Sequence, residues 1–357
     1  VKAFSMIMAG GGGTRFWPLS RQNMPKQLLN LSGDDAMINE TIKRCEALIP
    51  AQNTFIVTNK QQVNVMDTVL IPELPRENIL KEPIPRNTAP CILFAAMHIF
   101  EKHGDGVLCI FPSDHYITDK ERFLALLEEA IKIADESGKV VTIGIKPSFP
   151  ATGYGYIKRE NDLLYNNAYR LDRFVEKPNL DKAKQYYNSG DYYWNSGIFI
   201  WKISQIIKDY ERFLPRIYRR FKSLEGKFFS LESQALIDQL YSALDSISVD
   251  YGILERIDEA IVMPGDIGWN DVGSWDALGA VFPADEKGNI IKADHIGTDT
   301  KECIIYGNGN KLIATVGIFN TVIVDTDDAM LICSKDRTQD VRSIVDALKE
   351  NGKVDLL

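Results

Sequence analysis

The sequence predicts an α/β fold in two parts: a mostly parallel sheet with helices on both faces, then a small, mainly β domain. Three observations carry this. The chain has 357 residues, too many for one comfortable core, so about two domains are expected. Short apolar runs alternate with amphipathic helical stretches over the first half. After Phe282 the runs become short and β-rich, with Gly and Asn between them.

The elements follow in order. Ala3–Met8 is an apolar strand running into four glycines, and residues 54–58 form a second strand. Between them, residues 35–49 carry Ile38, Ile42, Cys45 and Ile49 at helical spacing. Residues 87–102 form a helix with Ile92, Leu93, Ala96, Ile99 and Phe100 on one face, and residues 107–111 a strand. Thr118 and Glu121 have the spacing of a capping box for the next helix, which Gly138 stops before the strand Val140–Ile145. Residues 179–190 and 204–248 read as helical, and 171–176 and 197–201 as strands. Beyond the boundary, strands are expected at 290–293, 303–306, 311–316, 321–325 and 330–333. A closing helix then carries Val341, Ile344, Val345 and Leu348. The domains are accordingly 1–282 and 283–357.

Composition narrows the function classes. Apolar residues at 45% and charged residues at 25% describe a globular protein, not a disordered or collagen-like one. Forty-one basic against 49 acidic residues argue against a nucleic-acid binder, although a few converging cations can still hold an anionic substrate. No apolar run approaches the roughly 18 residues of a spanning helix, so no membrane role is expected. Cys45, Cys91, Cys109, Cys303 and Cys333 are odd in number and widely spaced, which fits reduced thiols in a cytoplasmic protein. The four histidines lack metal-ligand spacing.

Four segments carry chemistry. Gly10, Gly11, Gly12, Gly13, Thr14 and Arg15 follow the first strand directly. Without Cβ atoms, their backbone N–H groups can close around phosphate oxygens. The segment is neither a Walker A loop, since no Lys-Ser or Lys-Thr follows, nor a dinucleotide fingerprint, since Arg15 stands where a final glycine belongs. Arg15 and Lys26 on one short excursion suit a triphosphate, each offsetting charge that builds during phosphoryl transfer. Asp114, after the strand at 107–111, puts a carboxylate at the edge where open α/β sheets bind ligands, or caps the next helix. Asp271 sits in a Gly- and Trp-rich loop, 268–275, and two carboxylates with substrate phosphates make a Mg²⁺ site. Glu176 and Lys177 end a strand before Pro178; the pair fits a hydroxyl-rich, phosphorylated ligand, or a plain solvated turn.

Together these segments resemble the mannose-1-phosphate guanylyltransferases, within the sugar-phosphate nucleotidyltransferases. The resemblance rests on GGGGTRFWPLSRQNMPKQLL, EPIPRNTAP, FPSDH, TGYGYI, FVEKP, WNSGIF and WNDVGSW, in the family's order over nearly the whole chain. RNTAP and WNDVGSW point to the guanylyl-mannose branch. The resemblance implies a Rossmann-like nucleotidyltransferase domain with a mixed sheet and a C-terminal domain like a left-handed β-helix. It implies transfer of GMP from GTP to mannose 1-phosphate, with Mg²⁺ as cofactor and a homodimer as assembly.

By motif, the Gly10–Gly13 amides, Thr14 and Arg15 would hold the triphosphate, and Lys26 would stabilise the α-phosphoryl transition state. Asp114 and Asp271 would hold Mg²⁺. Glu176 would bind sugar hydroxyls and Lys177 the sugar phosphate, with Tyr154, Gly155 and Asn195 lining the sugar pocket. Glu82, Asn87 and Thr88 would sit at the guanine and ribose. All these groups precede Phe282, so a chain ending near there is expected to keep the chemistry if it stays folded. No isomerase activity is expected, since the chain ends soon after its closing helix. Other hexose-1-phosphate nucleotidyltransferases, using dTTP, UTP or ATP, and an inactive nucleotide-sugar-binding subunit are the alternatives.

Overall fold

A nine-stranded mixed sheet organises the molecule; the computed structural model describes residues 1–31, 34–165 and 167–357. In chain order the strands before Phe282 are β1 (Ala3–Met8), β2 (Thr54–Asn59), β3 (Ile79–Glu82), β4 (Val107–Pro112), β5 (Tyr116–Ile117), β6 (Val140–Ile145), β7 (Tyr156–Tyr165), β8 (Ala168–Val175), β9 (Tyr192–Lys202), β10 (Ala260–Pro264) and β11 (Trp269–Asn270). The large sheet has the order β3-β2-β1-β4-β9-β6-β10-β8-β7, and β5 pairs separately with β11. β1, β2, β3 and β4 are parallel, as are β6 and β10, while β9 runs antiparallel between β4 and β6.

The helices are α1 (Met37–Cys45), α2 (Val63–Val69), α3 (Thr88–His103), α4 (Lys120–Ser137), α5 (Leu180–Ser189), α6 (Ile203–Phe213), α7 (Pro215–Lys222), α8 (Ser233–Ser242) and α9 (Val341–Glu350). They cover both faces of the sheet, because its central strands are apolar on both sides. Leu108 and Ile110 of β4 pack with Phe94 and Tyr210, whereas Cys109 and Phe111 pack with Phe123 and Leu127 of α4. The period of two along β4 thus feeds two separate cores.

Beyond Phe282 come β12 (Ile290–Lys292), β13 (His295–Thr298), β14 (Ile304–Gly307), β15 (Ile313–Val316), β16 (Thr321–Asp325) and β17 (Met330–Ser334). β12, β14 and β16 stack in parallel, and so do β13 and β15, which is the stacking of successive β-helix coils. β17 closes the stack antiparallel to β16.

This part shares a core with the first. Phe16, Trp17, Val272 and Trp275 pack with Ile304, Val322, Val324, Leu331 and Val345. Trp17 Nε1 also donates to Leu356 O at 2.8 Å, and Arg21 pairs with Asp328 at 2.6 Å.

Several local expectations are corrected. The cap of α4 is Asp119, which accepts from Arg122 N at 2.9 Å, and Thr118 lies instead under Gly268, so the capping box does not form. The helical stretch 204–248 is three helices, because Leu214-Pro215 and the segment around Gly226 interrupt it. Strands β3, β7, β10 and β13 and helix α2 go beyond the sequence reading. β7 is largely polar and exposed, so it lacks the apolar signature of a strand.

Candidate active site

The glycine loop leaves β1 with its carbonyls tied down and its amides open. Gln27 Nε2 donates to Ala9 O and Gly11 O, both at 3.0 Å, and Gln62 Nε2 to Gly11 O at 3.2 Å. Ser20 Oγ donates to Gly13 O at 2.7 Å. The N–H groups of Gly10, Gly11, Gly12 and Gly13 donate to no protein acceptor among the described residues. An array of backbone donors held from behind is an anion cradle. Gly13 is required twice: its φ is +56°, and a Cβ there would overlap Lys26 Cβ.

Lys26 is buried under this loop and joins the Asp114 carboxylate to the backbone of Asp271. Its ammonium donates to Asp114 Oδ2 at 2.9 Å, to Asp114 O at 3.1 Å and to Asp271 O at 2.7 Å. All three of its donors are thereby engaged. Burial is the largest single influence and works to raise the Asp114 pKa, but the adjoining Lys26 ammonium together with His115 and Arg15 outweighs it and holds the carboxyl below its ordinary value. Asp271 accepts from the Tyr154 hydroxyl at 2.7 Å, and Val272 beside it takes φ +46°, a rare conformation for a β-branched residue. His115 is half-buried, its pKa is lowered to about 4 by desolvation, and its Nδ1 accepts from Trp269 Nε1 at 3.1 Å. It is neutral at pH 7 and lines the cavity that Tyr154 and Asp271 also line.

Pairing of β7 with β8 and β9, Tyr156 opposite both Val175 and Trp194, sets Gly155 beside Glu176 and Asn195. A Cβ on Gly155 would lie 2.6 Å from Glu176 Oε2, so the glycine makes room for that carboxylate. Lys177 pairs with Glu176 Oε1 at 3.0 Å while holding φ +37°, strain of the kind that collects at functional sites. These groups line a cavity of about 320 Å³, with Tyr154 and Asp271 also in its wall. A second cavity, about 650 Å³, is lined by Gly13, Thr14 and Arg15. The two share Gly153, Lys177 and Asp271.

Glu82 ends β3 with its Oε2 near Gly10, and its Oε1 accepts from Tyr241 at 3.0 Å. Burial pushes its pKa up to about 7, against the lowering effect of the tyrosine hydroxyl. Asn87 and Thr88 stand at the start of α3. Asn87 Oδ1 caps it by accepting from Thr88 N at 2.8 Å, and Thr88 Oγ1 accepts from Val249 N at 2.8 Å. Thr88 reaches the smaller cavity, whereas Asn87 lines neither.

The sequence reading missed Asp250. It lies in the smaller cavity, where Asn195 Nδ2 donates to its Oδ1 at 3.1 Å. Burial and the nearby Glu176 carboxylate raise its pKa to about 6. Its signal is structural, a π-helical turn at Asp250–Leu254. Gln27 and Gln62, polar yet buried, were missed for the same reason: their role exists only where the loop passes over them.

An amide cradle at the carboxyl edge of an α/β sheet, beside two carboxylates, defines an α/β protein that handles phosphate esters. Residues 4–288 match the family described as Nucleotidyl transferase, and residues 293–348 match the MannoseP isomerase/GMP-like beta-helix domain. The chain belongs to the nucleotidyl transferase family. It is 41% identical to the xanthan biosynthesis protein XanB of Xanthomonas campestris, over 98% of this chain and 73% of that protein. It is 37% identical to the mannose-1-phosphate guanylyltransferase RfbM of Salmonella typhimurium, over 98% of this chain and 73% of that one. A crystal structure described as mannose-1-phosphate geranyltransferase from Thermus thermophilus superposes with a TM-score of 0.88 at 31% identity, covering 98% of this chain and all of that one.

Proposed function

We propose that this chain transfers GMP from GTP to mannose 1-phosphate, giving GDP-mannose and pyrophosphate. One observation carries the reading: the cavity lined by Gly13, Thr14 and Arg15 and the cavity lined by Glu176, Asn195 and Asp250 meet at Gly153, Lys177 and Asp271. That junction suits the α-phosphorus, with a triphosphate on one side and a sugar phosphate on the other. The similarity to the guanylyltransferase of Salmonella typhimurium supports the choice of GTP and mannose 1-phosphate.

In this reading the Gly10–Gly13 amides, Thr14 and Arg15 hold the triphosphate. Lys177 holds the sugar phosphate so that one of its oxygens faces the α-phosphorus in line. That oxygen forms the new P–O bond, the α–β bridging bond breaks, and pyrophosphate leaves with the electron pair. No covalent enzyme intermediate is needed. Glu176, Asn195 and Asp250 take the sugar hydroxyls, with Gly155 and Tyr154 shaping the pocket. Glu82 accepts from the base, and Asn87 and Thr88 order the neighbouring turn. Lys26 holds the loops of Asp114 and Asp271 together and fixes a positive charge beside the reacting phosphorus.

Asp114 and Asp271 fit Mg²⁺, an ion that usually takes one or two carboxylates together with substrate phosphates. When bound, it would offset the charge of the phosphates. We place the domain boundary at 282/283 and the protein in the cytoplasm, to which the five free cysteines are suited. We assign a homodimer contact to the exposed Ile296, Val316 and Phe319 of the β part. The test is a panel of nucleoside triphosphates and hexose 1-phosphates scored by pyrophosphate release. GTP with mannose 1-phosphate is expected to lead, and a preference for UTP or dTTP with glucose 1-phosphate would overturn the reading.

A further inference from the structure

The last helix turns a charged face toward the glycine loop. Arg342, Val345, Asp346 and Lys349 stand at i, i+3, i+4 and i+7 of one helix, so they share one side of α9. With Gln339 they form a wall of the 650 Å³ cavity that Gly13, Thr14 and Arg15 also line. Val345 is buried in the core shared with Phe16 and Trp275, which fixes the rotation of the helix. Gln339 ties the two walls together. Its Oε1 accepts from Arg15 Nη1 at 3.2 Å, and its Nε2 donates to Ser274 Oγ at 2.8 Å.

The cavity's charge is unbalanced. Arg15, Lys177, Arg342 and Lys349 face two carboxylates, Asp271 and Asp346. Lys349 stands 3.8 Å from Asp346, whereas Arg342 has no ion-pair partner among the described residues. A cationic wall across from open backbone amides is complementary to a polyanion, and a guanidinium matches phosphate oxygens in a two-pronged way.

We propose that this face of α9 completes the pyrophosphate end of the nucleotide site, with Arg342 and Lys349 binding β- and γ-phosphoryl oxygens. The inference rests on reading the larger cavity as the triphosphate site. It makes the C-terminal β part a working wall of the active site. It also predicts selectivity: GTP and pyrophosphate reach α9, whereas GDP-mannose, which lacks the leaving pyrophosphate, does not.

The test uses the full chain and the exposed double substitution R342Q/K349Q, with thermal melting as the control for folding. Inorganic pyrophosphate and GDP-mannose are titrated calorimetrically into both proteins in Mg²⁺ buffer. Pyrophosphate affinity is expected to fall roughly 10–100-fold in the variant, as loss of a charge-assisted contact implies, with GDP-mannose affinity within about twofold. KM for GTP is expected to rise while KM for mannose 1-phosphate stays. Equal pyrophosphate affinity in both proteins, or none in the wild type, would overturn the proposal. A wild type that turns over no GTP, yet loses pyrophosphate binding on substitution, would sink the GTP reading and leave the phosphate wall standing.

Discussion

At Gly155 a Cβ would stand 2.6 Å from Glu176 Oε2, the mobile end of a side chain, so alanine there displaces the carboxylate without disturbing backbone. Gly155→Ala is expected to melt near the wild-type temperature and raise KM for mannose 1-phosphate about 10-fold, the scale of one weakened charged hydrogen bond. Initial rates with the sugar phosphate varied check this, and an unchanged KM would remove Glu176 from the sugar pocket. Asp271 offers a complementary case. Asparagine at 271 keeps an acceptor for the Tyr154 hydroxyl, so the loop geometry survives while the charge is lost. Asp271→Asn is therefore expected to lower kcat by on the order of 10²-fold with little change in stability. Full turnover of that variant would show that the carboxylate plays no part in the chemistry.

β3 delivers Glu82 to the sheet edge, where α8 covers it with Tyr241. Its carboxyl titrates at about 7 in the folded chain against the ordinary 4.5, because burial disfavours the charge. Between those pH values the native state binds the extra proton, so stability falls as pH rises through that window. Above it the full penalty applies, roughly 3 kcal/mol at 1.36 kcal/mol per unit. Glu82→Gln is expected to gain about that much over the wild type at pH 8 and little at pH 4, read by urea unfolding. A stability difference independent of pH would contradict the assignment. The glycine loop shows the same dependence of an element on its support: its carbonyls are held by Gln27, Gln62 and Ser20, which leaves its amides for a ligand.

The β part and the sheet domain are joined through a common core, not a linker. Cutting the chain after Phe282 removes Ile304, Val322, Val324 and Val345 from against Phe16 and Trp275, both fully buried. It also removes Gln339 from Arg15. The expectation that such a chain keeps the chemistry if it stays folded meets this shared core, which argues against its condition. The truncation is expected to melt at a lower temperature and lose at least about 10²-fold in GTP turnover, since a misplaced phosphate cradle costs that much. Recovery of a stable truncation with the full-length rate would show the β part to be dispensable.

The amino-acid sequence by itself determined the alternation of strands and helices, the shift to short β-rich runs after Phe282, and the loops that carry Arg15, Lys26, Asp114, Glu176, Lys177 and Asp271. Those features are local: apolar periodicity, glycine runs and charges at strand ends act within a few residues. Tertiary structure decided which of them meet. Lys26 bridges Asp114 and Asp271 across 88 and 245 residues, and Tyr154 reaches Asp271 across 117. Asp250 and the α9 side chains carry no sequence signal of their own, because each becomes part of a site only when a distant element packs against it. The β-helix coils were legible only through the family resemblance and not through periodicity, since their partners Ile290, Ile304 and Val322 recur at unequal intervals that no fixed period detects.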